Sequence, residues 1–431
     1  MNGPAHAIEP SATTRMRGWL PRFSPDYWKF YSGAFCFDFG FGLFFFLFNL
    51  YLTDLHFDER AIGRIVACIT LGNIAGTLPA TLLARRRGLR PLLLIVFVAA
   101  PCACAMRLMA SGETAQMALA FVTGMALCPW PICFSPTLAT LTNESNRARG
   151  FSLAFATGIG LGTLSGLAGG YIPEWLQKGS AHLSLVGGVQ AVLLGSCAVA
   201  LAGTIPVLRL KFADRAAQRG KRGRLFHPYL FRFLPPFLLW NVVTGSFPIF
   251  GAVYLQKVLG LPLGRLGAVF AASQLLQFVA VLCAPFISKR VGVANGVAIA
   301  LLGAAVFLGS IVFSHTLPVA VSLYLMYFAA QYMCGPGIYQ MLMESVPEED
   351  RSTASALQNL SGALCQAATA ALTGICIVRF GYGNVMLTDA GVALLAGVSF
   401  VLLGRSARLV QNALISSQMP AAQIAAGQAA E

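Results

Sequence analysis

The feature that most constrains this chain is a series of twelve apolar runs, each long enough to cross a lipid bilayer as a helix. They cover 29–52, 61–84, 91–110, 115–140, 150–172, 183–207, 233–256, 264–287, 293–314, 317–343, 353–378 and 384–404. Of its 431 residues 57% are apolar and only 11% charged, where a soluble domain carries about 25%. A soluble enzyme, a disordered chain and a secreted disulfide scaffold are thereby excluded. The fold class is an all-α polytopic membrane protein.

Charge sets the orientation. The net charge of +14 points to topology before nucleic acid, because basic residues collect on the cytoplasmic side of a membrane chain. With both termini cytoplasmic, 23 of the 30 Lys and Arg fall on that side, including Arg85-Arg86-Arg87, Arg147, Arg149, Lys289 and Arg290. The plasma or inner membrane is the expected location. The polar arm before the first run carries Arg15, Arg17 and Arg22 and no early apolar core, so no cleaved signal is expected. All eleven Cys lie within the apolar runs, without a CxxC pair or a His at metal-ligand spacing, and read as small apolar filler. No metal and no cofactor is expected, and the absence of a phosphate-cradling loop removes ATP hydrolysis as a power source.

One connection is long. The stretch from Arg209 to Arg232 holds eight basic residues against the single acid Asp214 and separates six runs from six. The expected organisation is a cytoplasmic arm at 1–28, an N-terminal six-helix bundle at 29–208, a basic linker at 209–232, a C-terminal bundle at 233–404 and a disordered tail at 405–431. The halves also repeat. A shift of 203 lays Gly42, Phe44, Tyr51 and Leu52 on Gly245, Phe247, Tyr254 and Leu255; a shift of 204 lays Ala84–Gly88 on Ser288–Gly292; a shift of 202 lays Arg149 on Arg351. Duplicated six-span halves are typical of secondary transporters.

On these residues the chain resembles the major facilitator superfamily over about 29–404. The family's loop between its second and third spans reads Gly-x-x-x-Asp-Arg-x-Gly-Arg-Arg; Thr81 to Arg90 matches it at Arg86, Gly88 and Arg90, with Arg85 in place of the acid. The stretch from Glu344 through Arg351 is similar to the loop before the family's eleventh span. The resemblance implies two pseudo-symmetric six-helix bundles around a cavity lined by spans 1, 4, 7 and 10, with Arg86, Gly88, Arg90, Arg149 and Arg351 as gating-loop residues. A drug/proton antiporter pattern in span 5 is matched only in part. Gly158, Gly162, Gly166 and Gly170 recur, but Leu167 stands where a proline belongs. Four-residue stripes of small residues here, and in spans 2 and 11, predict close helix packing.

Asp38 lies about ten residues into span 1, roughly 15 Å deep at ~1.5 Å per residue, and is the acid nearest the midplane. A carboxylate there is expensive unless it meets water, a partner or a proton. Asp38 is therefore the candidate for proton coupling or substrate binding, with Asn241 as its repeat mate. Gly42, Phe45 and Asn49 follow Asp38 on one helix face. Prolines at Cys128-Pro129-Trp130-Pro131 and Gly335-Pro336-Gly337 predict kinks in spans 4 and 10. Phe45, Asn49, Trp130, Gln274, Gln277, Tyr327 and Gln331 are cavity-lining candidates. Arg107, near the end of span 3, is expected to snorkel to the interface, and Asp389 to sit at the first turn of span 12.

With one acid, aromatics and no deep basic residue, such a cavity suits neutral or cationic solutes. The expected function is secondary active transport of a small organic solute, by proton-coupled efflux and without enzymatic chemistry. Uptake or uniport of a neutral nutrient, and a non-transporting receptor or scaffold on the same fold, are the alternatives. The expected partners are the solute, a proton and membrane lipid, with no nucleic acid, and the chain is expected to be a monomer.

Overall fold

The computed structural model describes residues 23–143, 146–179, 184–210, 228–314, 316–347 and 351–428. Without water in the bilayer core, backbone groups must pair within their own segment, and the described residues form helices throughout the apolar runs. These are α1 (Pro25–Asp54), α2 (Glu59–Arg87), α3 (Leu89–Arg107), α4 (Glu113–Leu141), α5 (Arg147–Gly179) and α6 (Leu185–Leu208) in the first half. The second half has α7 (Tyr229–Lys257), α8 (Leu263–Val291), α9 (Val293–Val312), α10 (Leu317–Ser345), and α11 and α12 within Arg351–Gln428. Gly381, at φ 80°, separates α11 from α12.

Local chemistry sets the helix ends. Ser24 Oγ accepts from Tyr27 N at 3.2 Å with Pro25 at the first helical position, and Asp58 Oδ1 accepts from Ala61 N at 2.8 Å. Gly88 (φ 79°) and Gly292 (φ 87°) each form a one-residue connection, from α2 to α3 and from α8 to α9, which shows the internal repeat in backbone geometry.

The expected breaks occur in α4 at Cys128 and in α10 at Cys334, each directly before the proline-bearing stretch. A third break, at Ser246 before Pro248 in α7, has no counterpart in the continuous α1. The acid Asp389 explains why it is tolerated. Eight residues past Gly381 and buried, rather than at the first turn of α12, it accepts the Phe247 N–H at 3.2 Å and the Ser246 hydroxyl. A broken helix exposes backbone N–H groups that need an acceptor, and this acid supplies one.

The backbone from 405 to 428 continues α12 as helix, where composition suggested disorder. That stretch is rich in Ala and Gln, which are strong helix formers. Most of the basic linker, 211–227, lies outside the described residues.

Two helix pairs join the halves, α2 with α11 and α5 with α8, with a smaller contact between α1 and α7. Glycine permits this approach: a Cβ on Gly170 would lie 2.9 Å from Gly267 Cα, and one on Gly166 would lie 2.8 Å from Phe270 Cδ1. The stripe in α2 serves its own half, where Gly72 abuts the Phe121 backbone of α4 and Gly76 abuts Met125. Along α5 the seam has a direction. Gly170, Gly166 and Gly162 meet α8, whereas Gly158 meets nothing within 4 Å.

The halves are therefore sealed at one end and splayed at the other. The splayed end carries the start of α1, Arg86, Arg90 and the end of α6, tied together by Lys29 Nζ to Arg209 O at 3.3 Å and Arg90 Nη2 to Leu208 O at 3.4 Å. We call it the basic end and its opposite the far end.

Candidate substrate and coupling site

One face of α1 runs along the cleft and carries Tyr31, Phe35, Asp38, Phe45 and Asn49. Asp38 is half-buried toward the basic end, beside a cavity of about 10 Å³ that it lines with Phe30, Tyr31, Phe134, Thr157 and Gly158. That is the space of roughly one water. The Trp130 indole N–H donates to its carboxylate. Trp130 is wedged among Phe30, Phe37, Phe97 and Phe134, with ring centroids 4.8–6.3 Å away, so the proline-broken α4 holds one donor against the acid. Tyr31 and Thr157 hydrogen-bond beside it and join α1 to α5.

Several expected partners are elsewhere. Asn241 is only 2% exposed and does not face the cleft: its Nδ2 donates to Phe237 O at 2.8 Å and its Oδ1 accepts from Gln366 Nε2 at 2.8 Å, fastening α7 to α11. Tyr327 and Gln331 are buried inside the second half, Gln331 donating to Thr244 Oγ1 at 3.0 Å. Gln274 lies in the α5–α8 seam against Gly162, and Gln277 is buried with its Nε2 3.5 Å from Ser273 Oγ. Phe45 and Asn49 do line a cavity, a second one nearer the far end. Arg86 is exposed at the basic end beside Gly88, and the side chains of Arg149 and Arg351 lie outside the described residues.

Arg107 corrects the sequence reading most. Instead of snorkelling, it is 1% exposed, with its guanidinium 4.0 Å above the Phe48 ring. The short α3–α4 connection explains this. Gln116 Nε2 donates to Arg107 O at 2.7 Å and to Ala110 O at 2.8 Å, so the end of α3 is folded against α4 instead of reaching the interface.

The far end is closed by polar contacts that the sequence gives no means of pairing. Glu59 Oε1 accepts from Lys257 Nζ at 2.9 Å and from Tyr382 OH at 3.1 Å, joining α2 to α7 and α12. Glu174 Oε1 accepts from Gly264 N at 2.6 Å across the α5–α8 seam. An ion pair whose lysine stays partly exposed contributes up to about 1 kcal/mol, roughly a fivefold bias. Glu59→Gln should accordingly raise the far-open population by up to about fivefold. Spin labels at the exposed far-end positions Met109 and Val258 would read this as a longer-distance component, and an unchanged distribution would remove Glu59 from the closure.

Two six-helix halves, sealed at one end around a cleft that carries a carboxylate, define the alternating-access class of membrane transporter fold. The sequence pattern of the Major Facilitator Superfamily matches residues 30–370, and the chain belongs to that family. Its fold is similar to the nucleoside transporter NupG (TM-score 0.72, 13% identity, 88% of this chain and 99% of that one). It is also similar to a D-xylose-proton symporter (0.71, 17%, 87% and 96%). A bacterial homologue of the human lysosomal transporter Spinster, in an inward-facing and unoccupied conformation, gives 0.71 at 12% identity, over 89% of this chain and 98% of that one. Among curated proteins none matches in sequence.

Proposed function

We propose that this chain carries a small organic solute across the membrane by alternating access, with Asp38 binding and releasing the coupling proton. The observation that carries the reading is a half-buried carboxylate on the cleft face of α1, held by a single indole donor beside a water-sized cavity. Such a group is costly to keep as an ion in a membrane core and is cheapest when its proton moves with the cycle. A D-xylose-proton symporter has a similar fold, which supports the reading.

For direction we propose proton exchange, hence efflux: the proton reaches Asp38 as the solute leaves. Addition of a stabilising solute to proteoliposomes under a pH gradient tests this, since exchange and symport change the lumenal pH with opposite signs. Absence of any solute flux would support the scaffold alternative.

We also propose that the basic end is cytoplasmic, which makes the sealed far end the outer one and this conformation inward-facing. The support is the Lys and Arg asymmetry. Single cysteines at Gln218 and Ala181, in a Cys-free background, should react with an impermeant reagent from opposite sides. Labelling of both from one side would overturn the twelve-span topology.

A further inference from the structure

We propose that Arg107 is the anion-binding group of a second subsite, which takes the carboxylate of a small organic acid. This rests on the reading of the chain as a solute transporter and names its substrate class. Arg107 Nε and Nη1 are buried without a hydrogen-bond partner, and among the described residues Arg107 belongs to no ion pair. The nearby Gln116 Oε1 is also unpartnered, but a carbonyl oxygen cannot neutralise a charge. A guanidinium with only the Phe48 ring beneath it and no counter-charge is expensive in a membrane protein, and a mobile anion relieves that cost.

The surroundings say what kind of anion fits. Arg107 lines a cavity of about 270 Å³ between the halves, together with Phe45, Asn49, Thr70, Ile249 and Phe270. This lies just below the ~300–1,000 Å³ usual for ligand pockets. One guanidinium charge balances one carboxylate, and the aromatic walls require an apolar body. The Asn49 amide, engaged only at 3.5 Å with Ile249 O, offers a further donor. A phosphate dianion would find a single cation among apolar walls, so a monocarboxylate is the better fit. Because the cavity draws on α1, α2, α3, α7 and α8, a ligand here touches both halves. Asp38 and Phe48 are ten residues apart on α1, so this subsite lies roughly 15 Å farther along the helix than the acid.

The test is thermal melting of the purified full chain titrated with matched pairs: benzoate and benzamide, phenylacetate and phenylacetamide, hexanoate and hexanamide. At least one carboxylate should bind about tenfold more tightly than its amide, because the amide cannot form the charge-assisted pair. No preference in any pair overturns the proposal, as does an equal response to chloride or phosphate, which marks a counter-ion site only. Arg107→Met keeps the aliphatic stem over Phe48 and should fold without carboxylate preference; a retained preference overturns the assignment.

The matched titrations on the wild type supply a readout that does not depend on the variant folding. Flux separates the two readings. Transport of some solute without carboxylate preference sinks the anion subsite alone, and carboxylate preference without flux sinks the transporter reading alone.

Discussion

Asp38→Asn is expected to reduce proton-driven transport to the level of empty liposomes while leaving the folded yield unchanged. The substituted amide keeps the size of the carboxyl and an oxygen to accept the Trp130 N–H, so the packing of α1 against α4 and α5 survives. What is lost is titration, and with it any coupling to the proton gradient. Solute exchange at equal concentrations, which needs no proton, should persist, and Asp38→Glu should keep part of the driven rate. The assay uses a solute that raises the melting temperature of the purified protein, since a ligand bound only by the folded state must do so. Continued accumulation or expulsion against a gradient by Asp38→Asn would make the residue structural.

Gly267→Leu should abolish transport by a different route. The new Cβ would collide with the Gly166 carbonyl and lie 2.7 Å from Gly170 Cα, backbone atoms that cannot swing aside. Overpacking of this kind typically costs about 1–3 kcal/mol, and here it falls on the closure between halves rather than on either half's own core. The halves should remain folded and parted at the far end. A cysteine at Asn49 would then react with reagent added from that side. Gly391→Leu, where an added Cβ meets nothing within 4 Å, is the matched control. Normal transport by Gly267→Leu, or no gain in reactivity at Asn49, would show that the seam need not close.

The bilayer made much of this fold legible in advance. Apolar runs, a basic asymmetry and paired landmarks at one offset follow from demands that lipid makes on any chain, and Gly88 and Gly292 keep the repeat even in their dihedral angles. Asp38 stood out for the same reason, as a charge where charge is costly. Side chains whose meaning depends on helix rotation were not legible. Asn241 and Asp38 occupy the same repeat position, yet one is turned into the packing of α7 on α11 and the other toward the cleft. Tyr327 and Gln331 face inward from a kinked α10 that was itself foreseen. Near the end of an apolar run, Arg107 could reach out or fold back, and Gln116, nine residues later and in the next helix, decides it. The Ser246 break depends on Asp389, which is 143 residues away in the chain.

The one-residue connections at Gly88, Gly292 and Gly381 each hold two helix ends at one face of the membrane, so each pair is a helical hairpin whose tightness rests on a single glycine. Positive φ at the link is nearly free for glycine and costs other residues roughly 1–2 kcal/mol. Substitution at these three positions would therefore strain the hairpins themselves, apart from any effect on the solute site.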